Sequence, residues 1–254
     1  MGADVEIPKE HLVNASEFDK MLGFERIEGL HGSTYKDNST VIIIPTRGTG
    51  IHYKFMQAFQ SLVSPMNGKR TIIYAEGFEV GDAFNTMIQN VLNHPELSKW
   101  KYILSVEDDN LPMPDGHIRL LESIEQGYDA VGGLYHTKGD VNYPLALGDP
   151  DIYRMTGELE MRPRNILEWQ ARGKGHLMET NCLPCGFTLY KMDLFRQTEG
   201  PWFTTLSDWD PIKGGAQATQ DCAYWMKARR AGKRCAVDLR VRVGHIDPAT
   251  GTVY

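Results

Sequence analysis

Runs of consecutive β-branched and aliphatic residues alternate along this chain with segments whose apolar positions recur every three or four residues. The first run, Val41-Ile42-Ile43-Ile44, is closed by Pro45-Thr46-Arg47-Gly48. An uninterrupted apolar run stopped by Pro and Gly predicts a strand buried on both faces. Phe55, Ala58, Phe59 and Leu62 then fall at helical spacing within 51–63. The alternation repeats. Thr71-Ile72-Ile73-Tyr74-Ala75 predicts a strand, and beyond a turn at Glu76-Gly77 a helix carries Phe84, Met87, Ile88 and Val91 on one face. Tyr102-Ile103-Leu104-Ser105-Val106 predicts a third strand, Pro112 and Pro114 mark a turn, and Ile118, Leu120, Leu121 and Ile124 define the next helix. Tyr128 to Leu134 predicts a fourth strand. This succession predicts an α/β protein whose mostly parallel central sheet has helices on both faces. Such sheets bind ligands beyond the carboxyl ends of their strands.

The pattern fades between 135 and 180, where Gly, Pro, Asp and Arg dominate and one short helix is expected around Ile166–Gln170. A long irregular insertion in a compact domain is usually functional or mobile. Order returns with a strand at Gly186-Phe187-Thr188-Leu189-Tyr190, a helix near 219–231, and a strand Arg240-Val241-Arg242-Val243 that runs into Gly244-His245-Ile246-Asp247. Residues 1–39 are mostly polar and read as an N-terminal extension lying over a single domain, 40–254.

Composition narrows the partners. With 33 acidic against 27 basic side chains and a formal charge of −6, a broad basic surface for nucleic-acid backbone is disfavoured, though a local basic groove stays open. No apolar run reaches the roughly 18–20 residues that span a bilayer, and the charged N-terminus lacks a signal-peptide layout. A soluble, intracellular (cytoplasmic) protein is the expectation. The four cysteines, Cys182, Cys185, Cys222 and Cys235, are too sparse for a disulfide scaffold. Cys182-Leu183-Pro184-Cys185 invites a zinc or redox reading, but no second Cys-x-x-Cys exists and no thioredoxin-like strand–helix context surrounds the first.

The chemistry concentrates in Glu107-Asp108-Asp109, directly after the third strand. Adjacent carboxylates repel one another, so a fold that gathers them at a strand end usually binds a cation there. Hard oxygen ligands favour Mg²⁺ or Mn²⁺, with substrate phosphates completing the shell. The plainer alternative is an exposed acidic turn.

The stretch from Ile103 through Glu107-Asp108-Asp109 to Pro112-Met113-Pro114-Asp115 resembles the acidic DxD-type motif of family 2-like glycosyltransferases with the GT-A fold. The resemblance covers roughly 40–250, outside 135–180. It implies a nucleotide-diphospho-sugar transferase, with a nucleotide-binding half at about 40–134 and an acceptor-side half at about 135–254. Under it, Pro45, Thr46 and Arg47 begin the nucleotide site and Glu76 contacts the base. Gly81-Asp82-Ala83-Phe84-Asn85 looks like the family's Gly-x-x-x-Asn helix start, which places Asn85 on the donor side with Glu107 and Asp108. Asp109 becomes the metal ligand. Glu107 approaches the ribose or the metal where relatives carry Asp, and His245 matches a histidine that many relatives use as a further ligand. Asp221, in Thr219-Gln220-Asp221-Cys222, resembles the second half of a Glu-Asp motif and becomes the general base of an inverting transfer. Its other reading is an aspartate favoured by a helix N-terminus.

The resemblance also places Cys185-Gly186 at an acceptor-side turn, with Trp209 nearby. Trp202, Trp209 and Trp225 suit sugar or base faces, or serve as core anchors. The donor expected is a nucleotide-diphosphate sugar, and the acceptor a glycan, protein, lipid-linked glycan or nucleic-acid base. A nucleotidyltransferase is disfavoured because Arg47-Gly48-Thr49-Gly50 is a short loop with one cation. A catalytically silent binding module would have little need for Asp221 beside the acid cluster.

Overall fold

Alternate residues of strand β1 (Thr40–Thr46) enter different cores. Val41 and Ile43 share one with Phe84, Met87, Ile88 and Val91 of helix α2 (Val80–Asn93). Ile42 and Ile44 share the other with Phe55 and Phe59 of helix α1 (Tyr53–Gln60) and with Leu120, Leu121 and Ile124 of helix α3 (Gly116–Ile124). Successive strand side chains point to opposite faces, so one buried run dictates helices on both sides of the sheet. Each such side chain, fully buried, stabilises the fold by roughly 1.5–3 kcal/mol. The computed structural model describes residues 36–254 apart from 49, 67 and 211–213, and the side chains of 207–217 are also outside the description. Contacts separate 1–37 from Asn38–Tyr254. The expected extension over 1–39 therefore lies almost wholly outside the described residues. The second unit holds the sheet, its helices and the acid cluster.

The central sheet has 8 strands. Its order is β2 (Arg70–Glu76), β1, β3 (Tyr102–Val106), β7 (Phe187–Lys191), β5 (Ala130–Leu134), β10 (Cys235–His245) and β4 (Asn110–Pro112), with β6 (Leu177–Thr180) also on β10. Strands β1, β2, β3, β5 and β10 run one way; β7, β4 and β6 run against them. The sheet is thus mixed but mostly parallel. The carboxyl ends of β1, β3, β5 and β10 open on one edge, and the antiparallel β7 begins there.

Three features depart from the sequence reading. The Pro112–Pro114 turn is preceded by a short strand, β4, paired with the far end of β10. Strand β10 itself begins at Cys235, well before Arg240, and its first residues pair with β5 on one side and β6 on the other. The 135–180 segment holds β6 and helix α4 (Pro150–Thr156) besides the expected helix α5 (Ile166–Ala171). Helix α4 carries its own punctuation: Asp149 caps Asp151 N–H, Pro150 opens the first turn, and Gly157 closes it at φ 72. At this length no apolar periodicity can develop. Helix α6 (Met192–Gln197), a two-stranded ribbon of β8 (Leu206–Asp210) with β9 (Gly214–Ala218), and helix α7 (Gln220–Arg230) complete the chain. Among the described residues no helix is long and apolar enough to cross a membrane.

A buried histidine ties the start of β1 to α3. The Thr40 hydroxyl donates to the carbonyl of Asn38, so its oxygen accepts from His117 Nε2 at 3.3 Å. Nδ1 lies 3.4 Å from Ser64 Oγ, which itself accepts from Arg70. Both ring nitrogens are satisfied by a single ring proton. Burial, reinforced by the Arg70 charge, brings the His117 pKa down from 6.5 to about 4. The unfolded chain therefore binds more protons between these pH values, and stability falls as pH drops through that window. His117→Gln should flatten this dependence. In urea denaturation the wild type should lose up to about 3 kcal/mol more than the variant between pH 7 and pH 4; equal losses would disprove the assignment.

Candidate active site

Strand β3 is buried throughout, and the chain leaves it in a tight turn. Asn110 N–H donates to Glu107 C=O at 3.0 Å, and Glu107 N–H donates to Gly186 C=O at 3.0 Å. Pairing of β4 with β10 then sets Asn110 opposite His245, while Ile246 N–H donates to Asp109 C=O at 2.8 Å. The acid turn and the histidine, far apart in sequence, meet because two strand ends are hydrogen-bonded.

His245 is anchored through its ring. Its Nδ1 carries a proton, because it lies 2.7 Å from the carbonyl of His136, which can only accept. Its Nε2 faces Asp109 Oδ2 at 3.7 Å. The Lys138 ammonium lies 2.6 Å from the same Asp109 oxygen. Asp109 Oδ1 accepts from Asn110 Nδ2 at 2.9 Å. Burial alone would raise the Asp109 pKa, but the contacts with His245 and Lys138 outweigh it and hold the carboxyl down at about 2.

Glu107 behaves in the opposite way. It keeps some contact with the cleft, yet enough protein surrounds it that desolvation, with the charges of Asp109, Asp221 and Asp108, pushes it up to about 8. Asp221, in the first turn of α7, is also raised by burial, against hydrogen bonds from the Thr219 hydroxyl and from Cys222 N–H. Tyr135, immediately after β5, is held far above its usual range by burial and by the Glu107 and Asp221 charges. Its ring packs edge-on against His245 with centroids 5.3 Å apart, and its hydroxyl accepts from Gly186 N–H at 2.9 Å.

Pro45, Thr46, Arg47, Glu107, Asp108 and Asp109 line one cleft with Phe78, Val80 and Gln220. Glu76 flanks it at the end of β2, against Gly48. Gly48 has φ 75, and a Cβ there would lie 2.5 Å from Glu76 Oε1, so only glycine serves. Asn85 is placed elsewhere. Its amide donates to Phe203 C=O and accepts from Trp202 and Phe203 N–H, which commits it to the backbone rather than to the cleft. Cys185 and Gly186 are buried under the acid turn. Trp202 and Trp225 are buried in the core. Trp209 pairs with Gly215 across the ribbon, and its side chain is outside the described residues.

Sequence reasoning passed over Lys138, Tyr135 and the His136 carbonyl. The available signal was position: Tyr135-His136-Thr137-Lys138 follows a strand whose carboxyl end faces the same edge as the acids. Among the described residues no set of three or more His, Cys, Asp or Glu side chains converges as a metal cage. Asp109 with His245 Nε2 still suits a hard-to-borderline divalent cation whose remaining ligands come from substrate and water. The Nδ1–H held by a backbone carbonyl is the support that metal-binding imidazoles usually have.

A scan against protein-family models finds no match, and neither does a search of curated proteins. Among solved structures the chain is similar to A197 from STIV, with a TM-score of 0.56 at 14% identity, covering 85% of this chain and 92% of that one. At that identity the likeness shows a shared fold, and the site must be argued from its own residues.

Gly186 is the steric keystone of this floor. A Cβ there would lie 2.4 Å from the Tyr135 hydroxyl and 2.6 Å from the Asn110 amide. Gly186→Ala should cost roughly 1–3 kcal/mol in chemical denaturation, the usual range for overpacking. Tyr135→Phe in the same background should recover part of it; an unaffected single variant would show that the floor is not close-packed.

Proposed function

We propose that this chain is a glycosyltransferase of the GT-A type, which takes a nucleotide-diphosphate sugar in the cleft at the carboxyl edge of the sheet. The observation that carries this reading is the Asp109–His245 pair, held by the β4–β10 pairing with the imidazole Nε2 facing the carboxylate. Asp109 and His245 would hold Mn²⁺ or Mg²⁺. Such a cation supplies neutralisation of the charge that grows on a departing diphosphate. The cleft measures ≈ 250 Å³, a little below the roughly 300–1,000 Å³ of most ligand pockets, so a nucleotide-sugar would extend beyond it.

On the acceptor side the base is Asp221. The acceptor hydroxyl attacks the anomeric carbon, its proton passes to the Asp221 carboxylate, and the bond from carbon to phosphate oxygen breaks. A carboxyl raised by burial accepts that proton more readily than an ordinary aspartate. Attack from the face opposite the leaving group inverts the anomeric centre. The Lys138–Asp109 ion pair favours a second reading of the same reaction, in which the ammonium, not a metal, faces the diphosphate.

Calorimetry with uridine and guanosine diphosphates, with Mn²⁺ and with chelator, separates the two. Under the first reading Asp109→Asn and His245→Ala lose metal-dependent donor binding by tenfold or more, roughly 1.4 kcal/mol. Under the second, chelator changes nothing and Lys138→Met loses the affinity. No diphosphate binding in either condition would end both. Asp221→Asn should retain donor affinity while transfer falls by about a hundredfold or more, as expected for a lost general base; full turnover would remove Asp221 from the mechanism.

A further inference from the structure

The Cys-x-x-Cys spacing draws attention to Cys182 and Cys185, yet the structure pairs Cys182 with a different partner. Cys182 donates its thiol hydrogen to Cys222 Sγ at 3.4 Å, across 40 positions of sequence. The other two thiols are engaged elsewhere. Cys185 Sγ accepts from the Tyr190 hydroxyl at 3.6 Å, and Cys235 donates to the Thr180 carbonyl at 3.3 Å. We propose that Cys182 and Cys222 form a redox-active pair, an oxidative modification site at which a peroxide closes a disulfide beneath the first turn of α7.

The geometry supplies what the chemistry needs. Cys222 is half-buried, so a small oxidant reaches it, whereas Cys182 is fully buried behind it. The roles follow from that order. The Cys222 sulfur attacks one oxygen of the peroxide, the O–O bond breaks, and Cys222 sulfenic acid and water form. The Cys182 sulfur then attacks the Cys222 sulfur; the S–S bond forms, the S–O bond breaks, and the departing hydroxide takes the Cys182 proton as water. Two thiols lose two electrons in all, and one hydrogen peroxide becomes two waters. The hydrogen bond from Cys182 favours the thiolate at Cys222 and lowers its pKa, consistent with Cys222 as the attacking sulfur.

Closure has a mechanical consequence. A disulfide needs its sulfurs about 2.05 Å apart, so the present 3.4 Å separation must close by about 1.4 Å. Cys182 lies in a fully buried run, 180–185, whereas Cys222 lies in the first turn of α7, which is half-exposed. The movement therefore falls mainly on α7. Asp221 is the neighbouring residue, and its carboxylate accepts from the Cys222 N–H at 2.8 Å. Sulfur chemistry at Cys222 thus repositions the Asp221 carboxylate. The disulfide itself is independent of any assigned activity; only the meaning of the Asp221 shift rests on the transferase reading.

The test uses the full reduced chain, hydrogen peroxide as oxidant, and no substrate. Wild type should lose one pair of thiols, with a mapped link between the Cys182 and Cys222 peptides. C222S should keep all its remaining thiols free of intramolecular linkage, and C185S should still form the link. Hydrogen–deuterium exchange of 219–224 should change on oxidation and revert with dithiothreitol. A Cys182–Cys185 link, or no thiol loss from the folded chain under conditions that oxidise the unfolded chain, overturns the pair. A mapped link with unchanged exchange overturns its coupling to Asp221. Neither result bears on diphosphate binding.

Discussion

Three residue pairs between β4 and the end of β10, Val243 with Pro112, Gly244 with Leu111 and His245 with Asn110, hold the acid turn against the end of β10. Among the described residues, this pairing is what brings the histidine to the acid turn. Without it β3 would end in an acidic loop facing water, which is the plainer reading its sequence allows. With it, Asp109 is fixed from both sides: its carbonyl by Ile246 N–H and its side chain by Asn110, Lys138 and the neighbouring imidazole. A strand of three residues contributes little burial of its own. Its effect is positional, and the position is what creates a site.

The fold then carries an electrostatic load. Glu107, Asp109 and Asp221 are close enough for the charges of Asp109 and Asp221 both to raise Glu107. Like charges gathered in a partly desolvated cleft are tolerated only where they are neutralised. This structure uses two devices, an ammonium on Asp109 and a proton retained on Glu107. Both Asp109 and Glu107 line the open cleft. The group around Glu179 shows the contrast. There Arg154, Arg229 and Arg234 surround one carboxylate, whose pKa is lowered, and the charge is satisfied internally.

Much of the fold was legible because its signals are local. The runs at 41–44, 71–75 and 102–106 are strands, and the apolar faces of α2 and α3 are buried where their spacing places them, apart from Ile118, which is only half-buried. The acid turn and His245 could be named for the same reason: each stands at the end of an apolar run. What could not be read is whatever depends on a distant partner. Strands β4 and β6 become strands by pairing with β10, and the early start of β10 is set by its neighbours on both sides. Lys138 carries no motif; only the return of the chain after β5 brings it to Asp109. Asn85 shows the converse. Its helix start resembles a donor-site motif, but among the described residues its amide bonds to the backbone of 202–203.

The two sides of the cleft are therefore specified by different physics. The side that carries Asp109 and His245 is built from strand termini, whose placement follows from sheet register and tolerates little change. Asp221 stands at the head of a helix that belongs to no strand of the sheet edge, so its position is set by packing. Tyr224, Trp225 and Ala228 anchor α7 in the core shared with Phe195 and Phe203, while the sulfurs of Cys182 and Cys222 meet under its first turn. A close-packed core transmits displacement rather than absorbing it. A change of about an ångström at those sulfurs is then felt at the carboxylate, while the hydrogen-bonded strand ends opposite stay where they are. A change on the packed side can therefore move Asp221 without disturbing the edge that holds the charge.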